Sequence, residues 1–211
     1  MPAKVYVVGI AGRTGSGKST VAKVLAKKGA ALIEADLLAH QTYAPNTDGW
    51  REIVESFGEG VVAADGAIDR RRLGAIVFDD AHALARLNVI THDRTRKLIQ
   101  QRLGELTAEG VALAVLEAAL LFEAGWNDLA DEVWVTAAPL AVCAERASGR
   151  LGISREEALA RIERQMPDEA RVARADVVID TSSSLEDTEK AVEREWEGLQ
   201  RRLRANTAAK A

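Results

Sequence analysis

Short apolar runs alternate with longer segments of helical period along this chain. Residues 5–10 form an uninterrupted apolar run, typical of a strand buried on both faces, and a helical pattern follows at residues 19–28. Four further runs are predicted to be strands: residues 30–34, 111–116, 132–136 and 177–179. Because helices separate the strands, their crossovers are parallel. The pattern predicts an α/β fold, a three-layer doubly wound parallel five-stranded sheet that binds ligands at the carboxyl ends of its strands.

The segment between the second and third predicted strands is long and rich in helix formers, above all over residues 68–106. A chain of 211 residues is long enough for one sizeable core and a small appended subdomain. We therefore predict three parts: a core of residues 1–36 and 107–205, a helical insertion of residues 37–106 that covers the sheet edge, and a flexible tail of residues 206–211.

Two helices are predicted between the fourth and fifth strands. Pro139 is placed to open a helix, and Ser154-Arg155-Glu156-Glu157 is a capping box for a second helix that Pro167 ends. Charges alternate with a helical period over residues 185–203, which predicts a final solvated helix.

Composition narrows the classes of function. Lys and Arg number 28 against 32 Asp and Glu, a net charge of -4, so we expect no nucleic-acid surface. The single cysteine, Cys143, permits no internal disulfide and favours a reducing cytoplasm, where it is most simply a small buried apolar side chain. The first apolar run is too short for a signal peptide, and the longest one, residues 111–122, carries Glu117 and falls short of the roughly 20 residues of a membrane span. We expect a cytoplasmic protein that does not enter a membrane.

A glycine-rich segment joins the first strand to the first helix. It reads Gly12-Arg13-Thr14-Gly15-Ser16-Gly17-Lys18-Ser19, with Thr20 after it, and it matches the phosphate-loop motif completely. Glycines let the backbone amides wrap around phosphate oxygens, Lys18 is predicted to reach the β and γ phosphates, and Ser19 to bind Mg²⁺. The alternative is an incidental glycine-rich turn. The motif predicts that a nucleoside triphosphate such as ATP binds here, and an ATPase or a GTPase satisfies it equally, although no Asn-Lys-x-Asp guanine motif is present.

Acidic residues follow two predicted strands at the edge where the loop opens. Asp36 is our candidate for the base that orients an acceptor hydroxyl and takes its proton; Glu34 lies two residues earlier and is the other candidate. Asp36 has an alternative role as a helix cap. Glu117 ends the third strand and is predicted to hold Mg²⁺, the alternative being a solvated loop acid.

Two pairs of basic residues have helical spacing. Arg146 and Arg150 lie four residues apart on the helix after Pro139, so both side chains can project toward phosphates, as in a lid. His92 and Arg96 share a face of a helix in the insertion. By spacing alone, a solvated helix surface is the better explanation for Arg146 and Arg150, and His92 and Arg96 are interpreted as surface residues.

As a set, these residues resemble the dephospho-coenzyme A kinase family over nearly the whole chain. The matching segments occur in order along the sequence: Gly12 to Ser19, Ile33-Glu34-Ala35-Asp36, Ile90-Thr91-His92 with Arg96, Leu120-Leu121-Phe122-Glu123, Asp131 to Val135, and Ala175 to Asp180. One such segment is weak evidence, whereas the ordered series is specific.

The resemblance implies a P-loop kinase that transfers the ATP γ-phosphate to the ribose 3′-hydroxyl of dephospho-coenzyme A, the last step of coenzyme A synthesis. It implies that Asp36 is the base and that Lys18 and Arg146 serve catalysis. It also implies that residues of about 140–167 form a lid and that the helical insertion binds the acceptor. The implied acceptor ligands are Asp36, His92, Arg96 and Glu123, and the implied ATP ligands include Arg146 and Arg150 beside the loop.

The chain departs from the family pattern at several positions. Glu34 and Glu117 replace aspartate, Asp93 and Ala119 replace proline, and Thr181 replaces a frequent asparagine. Arg13 stands where the family prefers a small residue, and the Gly9-Ile10-Ala11-Gly12 entry resembles uridine kinases as well. The alternatives are therefore another small-molecule kinase, such as a nucleoside kinase, and a nucleotide-binding module without catalysis. Oligomeric state is not predicted.

Overall fold

The computed structural model describes residues 3–208 of the chain. Within them lies one five-stranded sheet, formed by Tyr6–Ala11 (β1), Ala31–Glu34 (β2), Leu113–Glu117 (β3), Glu132–Ala137 (β4) and Val177–Asp180 (β5). The strand order is β2-β3-β1-β4-β5, and β1 pairs in parallel with both β3 and β4, as β4 does with β5. The predicted doubly wound parallel sheet is confirmed.

Helices separate the strands. In chain order they are Lys18–Lys27 (α1), Ala35–Gln41 (α2), Asp48–Phe57 (α3), Arg70–Asp79 (α4), Ala81–Ala108 (α5), Leu140–Leu151 (α6), Arg155–Glu163 (α7), Asp168–Val172 (α8) and Leu185–Ala208 (α9). Short 3₁₀ helices occupy Glu59–Val61 and Trp126–Leu129. Helix α8 was not predicted, because five residues are too few to establish a helical period.

The register of the sheet determines which residues meet at its carboxyl edge. Ile10 of β1 pairs with Glu117, the last residue of β3, while Ala11 pairs with Val135 of β4. The chain leaving β1 therefore enters the phosphate loop beside Glu117. All but the first residue of β1 are buried, as expected for the central strand of a sheet covered on both faces.

The described chain divides into two compact units. The first comprises the residues up to Ile33 and those from Leu106 on, and the second is Glu34–Glu105. The predicted core extended to residue 36, so Asp36, assigned to the core from the sequence, is grouped with the second unit.

One buried cluster of the first unit lies against the sheet. Val8 and Trp134 of the sheet pack in one buried cluster with Leu25 of α1 and Leu199 of α9. Each aliphatic side chain of this kind contributes about 1.5–3 kcal/mol when fully buried. A second cluster joins α6 to α7 and is rich in small side chains, including Ala144 and Ala158, which let the two helices approach closely.

The second unit is helical and has its own core. Ile53, Val61, Ile68, Leu73 and Ile90 form its buried centre. Two of its helices begin with side-chain caps: the Thr47 hydroxyl accepts a hydrogen bond from the Trp50 amide, and the Asp69 carboxylate accepts from the amides of the first turn of α4.

The C-terminal helix is longer than the sequence predicts. The flexible tail was expected to begin at Asn206, whereas α9 continues through Ala208. Residues 209–211 of the predicted tail lie outside the described residues. Among residues 3–208, no helix combines the length and apolar content needed to cross a bilayer.

Candidate active site

The phosphate loop occupies the turn between β1 and α1. Gly17 is the N-cap residue of α1 and has a φ of 86°, and Gly15 has a φ of 81°, both in the left-handed region that favours glycine. Helix α1 begins at Lys18, so its N-terminal backbone amides and the positive end of its dipole lie at the loop. This geometry is suited to binding an anion.

The inner side of the loop packs tightly against the ends of β4 and β5. The Ser16 and Thr136 hydroxyl oxygens are 2.6 Å apart, and the Thr181 hydroxyl donates to the Ser16 carbonyl at 2.8 Å. A Cβ atom added at Gly15 would overlap the carbonyl oxygen of Cys143 in α6. The loop is thus held at its base by two hydroxyls and leaves no room for a larger residue at position 15.

Lys18 lies within the loop. Its side chain is nearly buried, and its Nζ donates to the carbonyl oxygens of Gly12 at 3.0 Å and Arg13 at 3.1 Å. A buried ammonium group requires such partners, because burying an unpaired charge is costly. The loop therefore holds a positive charge at its centre.

Ser19 and Glu117 are brought together across the edge of the sheet. The Ser19 hydroxyl, in the first turn of α1, donates to Glu117 Oε1 at 2.5 Å. Glu117 is half-buried at the end of β3. A hydroxyl and a carboxylate supply the hard oxygen ligands that Mg²⁺ prefers, so this pair fits a magnesium ion.

The outer turn of the loop contacts the segment that follows α7. Arg13 forms an ion pair with Asp168, its Nε donating to Oδ1 at 2.8 Å. The Thr14 amide donates to Gln165 Oε1 at 2.8 Å, and Gln165 Nε2 donates to the Thr14 hydroxyl at 3.1 Å. Both predicted ATP-binding residues of this turn are therefore bound by side chains from the end of the predicted lid region.

Glu123 is placed in the same neighbourhood. Its carboxylate accepts hydrogen bonds from Arg171 Nη2 at 3.2 Å and from the Met166 amide at 3.3 Å. The structure thus brings this predicted acceptor ligand into contact with Met166 of the predicted lid region and with Arg171 of α8.

The two predicted lid arginines lie on α6. Arg146 donates through Nη2 to the Thr181 carbonyl at 2.9 Å, which anchors it close to the base of the phosphate loop. Arg150 is exposed in the last turn of the same helix. Burial raises the pKa of the Cys143 thiol on this helix, in agreement with its prediction as a small buried side chain.

Asp36 and Glu34, the two candidate bases, lie in the second unit. Glu34 occupies the N-cap position of α2 without a side-chain capping bond, and Asp36 lies in the first turn of that helix. Both are exposed. Asp36 is therefore not the N-cap residue that its alternative role required.

Two neighbours of Asp36 were not identified from the sequence. His40 follows it by one helical turn, and Arg70 Nη1 lies 3.0 Å from His40 Nδ1. Burial and the Arg70 charge lower the pKa of His40, while Asp36 acts in the opposite direction. The four-residue spacing of Asp36 and His40 places both on one face of a helix, and it could have been recognised in the sequence. Arg70 comes from a helix that is distant in the sequence, so no local pattern indicates its contact with His40.

His92 and Arg96 lie on α5, both half-buried. Burial lowers the pKa of His92, and the neighbouring Asp93 acts in the opposite direction. The neutral imidazole is favoured by this environment, which leaves it a hydrogen-bonding group rather than a cation.

Comparison with known proteins identifies the family of this chain. A family-wide sequence profile described as dephospho-CoA kinase matches residues 6–187. The dephospho-CoA kinase of Geobacter sulfurreducens is 46% identical over 190 residues, which cover 90% of this chain and 96% of that protein. The chain belongs to the dephospho-CoA kinase family. Kinases of this family use ATP.

Solved structures resemble the chain as well. A dephospho-CoA kinase from Campylobacter jejuni shares 27% identity at a TM-score of 0.68, over 92% of this chain and 96% of that one. The crystal structure of TT1252 from Thermus thermophilus shares 37% identity at a TM-score of 0.78, over 93% and 99% respectively. The dephospho-CoA kinase family relationship thus extends to the three-dimensional fold.

We predict that Gly15→Ala weakens ATP binding. The added Cβ overlaps the Cys143 carbonyl, and overpacking of this kind costs about 1–3 kcal/mol. The affinity for ATP, measured by calorimetry, is expected to fall about ten-fold. Gly149→Ala, in α6 with Cys143, is the control: nothing lies within 4 Å of its added Cβ, so affinity stays unchanged. Wild-type affinity in Gly15→Ala would contradict the packing argument.

A second prediction concerns pH. The pKa of His92 is lowered in the folded protein, whereas in the unfolded chain it is about 6.5. Below about pH 6.5 the unfolded state therefore binds more protons at His92 than the folded state does, so the free energy of unfolding falls as the pH falls. Above about pH 6.5, the titration of His92 does not change the free energy of unfolding. His92→Gln should reduce the loss of stability measured by urea denaturation between about pH 7.5 and about pH 5.5. Equal losses in variant and wild type would refute this.

Proposed function

We propose that this protein transfers the γ-phosphate of ATP to the ribose 3′-hydroxyl of dephospho-coenzyme A, completing coenzyme A synthesis. The observation that carries the proposal is the phosphate loop with Lys18 at its centre and the Ser19–Glu117 pair at its edge, in a chain of this family. A transferred phosphoryl group needs positioning and charge stabilisation more than covalent chemistry, and these groups supply both.

The loop is proposed to hold the triphosphate. Its backbone amides and the N-terminus of α1 favour phosphate oxygens, and the Lys18 ammonium neutralises charge on the β and γ phosphates. The proposed ATP-binding residues are Gly12, Arg13, Thr14, Gly15, Ser16, Gly17, Lys18, Ser19, Thr20, Arg146 and Arg150.

Ser19 and Glu117 are proposed to hold Mg²⁺. In the part of the chain that the structure describes, no group of three or more His, Cys, Asp or Glu is gathered as a metal site. Kinases bind magnesium through one or two protein oxygens together with substrate phosphates, so a hydroxyl and one carboxylate suffice. When bound, the ion neutralises charge on the β and γ phosphate oxygens.

Asp36 is proposed to orient the acceptor hydroxyl and to take its proton as the oxygen–phosphorus bond forms. Its exposed position in the first turn of α2 leaves the carboxylate accessible to a substrate. Glu34 remains the other candidate, since both side chains are exposed and lie two residues apart.

Arg146 is proposed to stabilise the charge of the transition state, with Arg150 assisting on the same helix. The hydrogen bond from Arg146 to the Thr181 carbonyl supports this role, because it fixes a guanidinium that carries five donor hydrogens beside the loop.

His92, Arg96 and Glu123 are proposed to contact the acceptor. The half-buried imidazole of His92 is suited to hydrogen bonding with a base or a sugar, and Arg96 to an anionic group. The Glu123 carboxylate also accepts hydrogen bonds from Arg171 and from the Met166 amide, which hold it in position. We also propose a cytoplasmic location, on the basis of the single, buried cysteine.

The third prediction tests the acceptor. Purified protein should consume ATP only when dephospho-coenzyme A is present, and addition of EDTA should stop the reaction. A coupled ADP-release assay measures this, with uridine as the competing acceptor. Turnover with uridine but not with dephospho-coenzyme A would establish the nucleoside kinase alternative, and ATP binding without turnover of either would favour a non-catalytic module.

The fourth prediction assigns the base. Asp36→Asn should lower kcat by about 10²–10⁴-fold, the usual contribution of a general base, while ATP binding measured by calorimetry stays close to wild type. Glu34→Gln is the matched variant and should retain most of the activity. If the large loss occurs in Glu34→Gln instead, Glu34 is the base.

A further inference from the structure

Arg13 is a charged residue within the phosphate loop. Its guanidinium forms a two-point ion pair with Asp168: Nε donates to Oδ1 at 2.8 Å, and Nη2 pairs with Oδ2. Both side chains are largely buried, 15% and 20% exposed. A bidentate pair of this kind restricts the guanidinium in both direction and orientation.

The next loop residue is held by the same stretch of chain. Thr14 and Gln165 exchange two hydrogen bonds, one through the Thr14 amide and one through its hydroxyl. We call residues 165–171 the tether. Two successive loop residues are therefore bound to tether residues. The Arg13–Asp168 ion pair is thus one of several contacts between the loop and the tether, and not an isolated surface pair.

The tether is itself fixed to the first unit by Arg171. This arginine is only 1% exposed and donates to Asp168 Oδ1 through Nη1 and to Glu123 Oε1 through Nη2, both at 3.2 Å. The network alternates in sign from Arg13 through Asp168 and Arg171 to Glu123, so its charges balance. Removing a partner from the buried Arg171 guanidinium would be strongly destabilising, so the pair between Arg171 and Asp168 is maintained. This pair holds the Asp168 carboxylate in position to bind Arg13.

We propose that the Arg13 side chain positions the outer turn of the phosphate loop by pairing with Asp168, and that its guanidinium does not itself bind phosphate; only the Arg13 backbone amide belongs to the proposed phosphate-binding surface. The tether directly follows α7, so the pair also fastens the end of the lid region to the loop. In this role Arg13 raises ATP affinity through the conformation of the loop, and Asp168 contributes equally. The inference rests on the proposed ATP-binding role of the loop and not on the identity of the acceptor.

A double-mutant cycle tests the proposal with Arg13→Met, Asp168→Asn and the double variant. Affinity for ATP is measured by calorimetry without acceptor, and KM for ATP and kcat by the coupled assay. Each single variant should weaken ATP binding about five-fold and the double variant no further, since coupled residues are strongly non-additive. The loss should appear in KM, with kcat nearly unchanged.

Two results would overturn the proposal. If Arg13→Met weakens ATP binding while Asp168→Asn leaves it unchanged or tightens it, Arg13 binds phosphate directly. If the two losses add in the double variant, the residues act independently. Glu157→Gln is the control, because it makes the same charge change in an exposed ion pair with Arg161 inside α7, and it should leave ATP affinity as in wild type.

Asp168→Asn also removes a charge partner of buried Arg171 and risks unfolding. Two further variants avoid this risk: Arg13→Met keeps the Asp168–Arg171 pair, and Gln165→Ala removes the contact between the tether and Thr14. For both variants, hydrogen exchange of the loop amides is measured. Faster exchange of the loop amides in both supports the tether, and unchanged exchange in both refutes it. Failure of the wild type to bind ATP would refute the nucleotide role itself, whereas binding without phosphorylation of dephospho-coenzyme A leaves the tether test valid.

Discussion

The site depends on how closely the phosphate loop packs against the strands and helix beside it. Gly15 lies against the carbonyl of Cys143, and the Ser16 and Thr181 side chains bond the inner side of the loop to the ends of β4 and β5. These contacts fix the backbone before any ligand arrives, so the amides that would surround a phosphate need little reorganisation. Preorganised donors of this kind are the main source of electrostatic stabilisation in phosphoryl transfer.

Sheet register extends this constraint to the proposed metal ligands. The pairing of Ile10 with Glu117 places the end of β3 beside the entry to the loop, and α1 begins with Lys18 and Ser19 at the other end of the loop. The 2.5 Å hydrogen bond between Ser19 and Glu117 follows from that alignment. A slip of one residue would turn Glu117 to the opposite face of the sheet, so the register of two buried strands determines the chemistry at their ends.

The sequence was sufficient for the sheet and the loop because both leave local patterns. Uninterrupted apolar runs predicted the five strands, and glycine spacing predicted the loop from Gly12 to Ser19. Helix α8 and the contacts of Arg13 were not predictable in this way: Arg13 and Asp168 are 155 residues apart, and a single charged residue carries no sign of its partner. Likewise, the helical period predicted the end of α9 too early, at residue 203, whereas the helix continues to Ala208. A charged helix that buries little of its surface has no apolar face by which its last turns can be recognised in the sequence.

Arg13 shows how a charged side chain is held within the turn of the phosphate loop. An unpaired guanidinium in the loop would be a second, uncompensated positive charge close to Lys18. Here Asp168 neutralises that charge, and Arg171 with Glu123 balances Asp168 in turn. Replacing Arg13 alone with a small residue would therefore leave Asp168 with Arg171 as its charge partner. Because Arg13, Asp168, Arg171 and Glu123 form one chain of ion pairs, replacing any one of them alters the partners of the next.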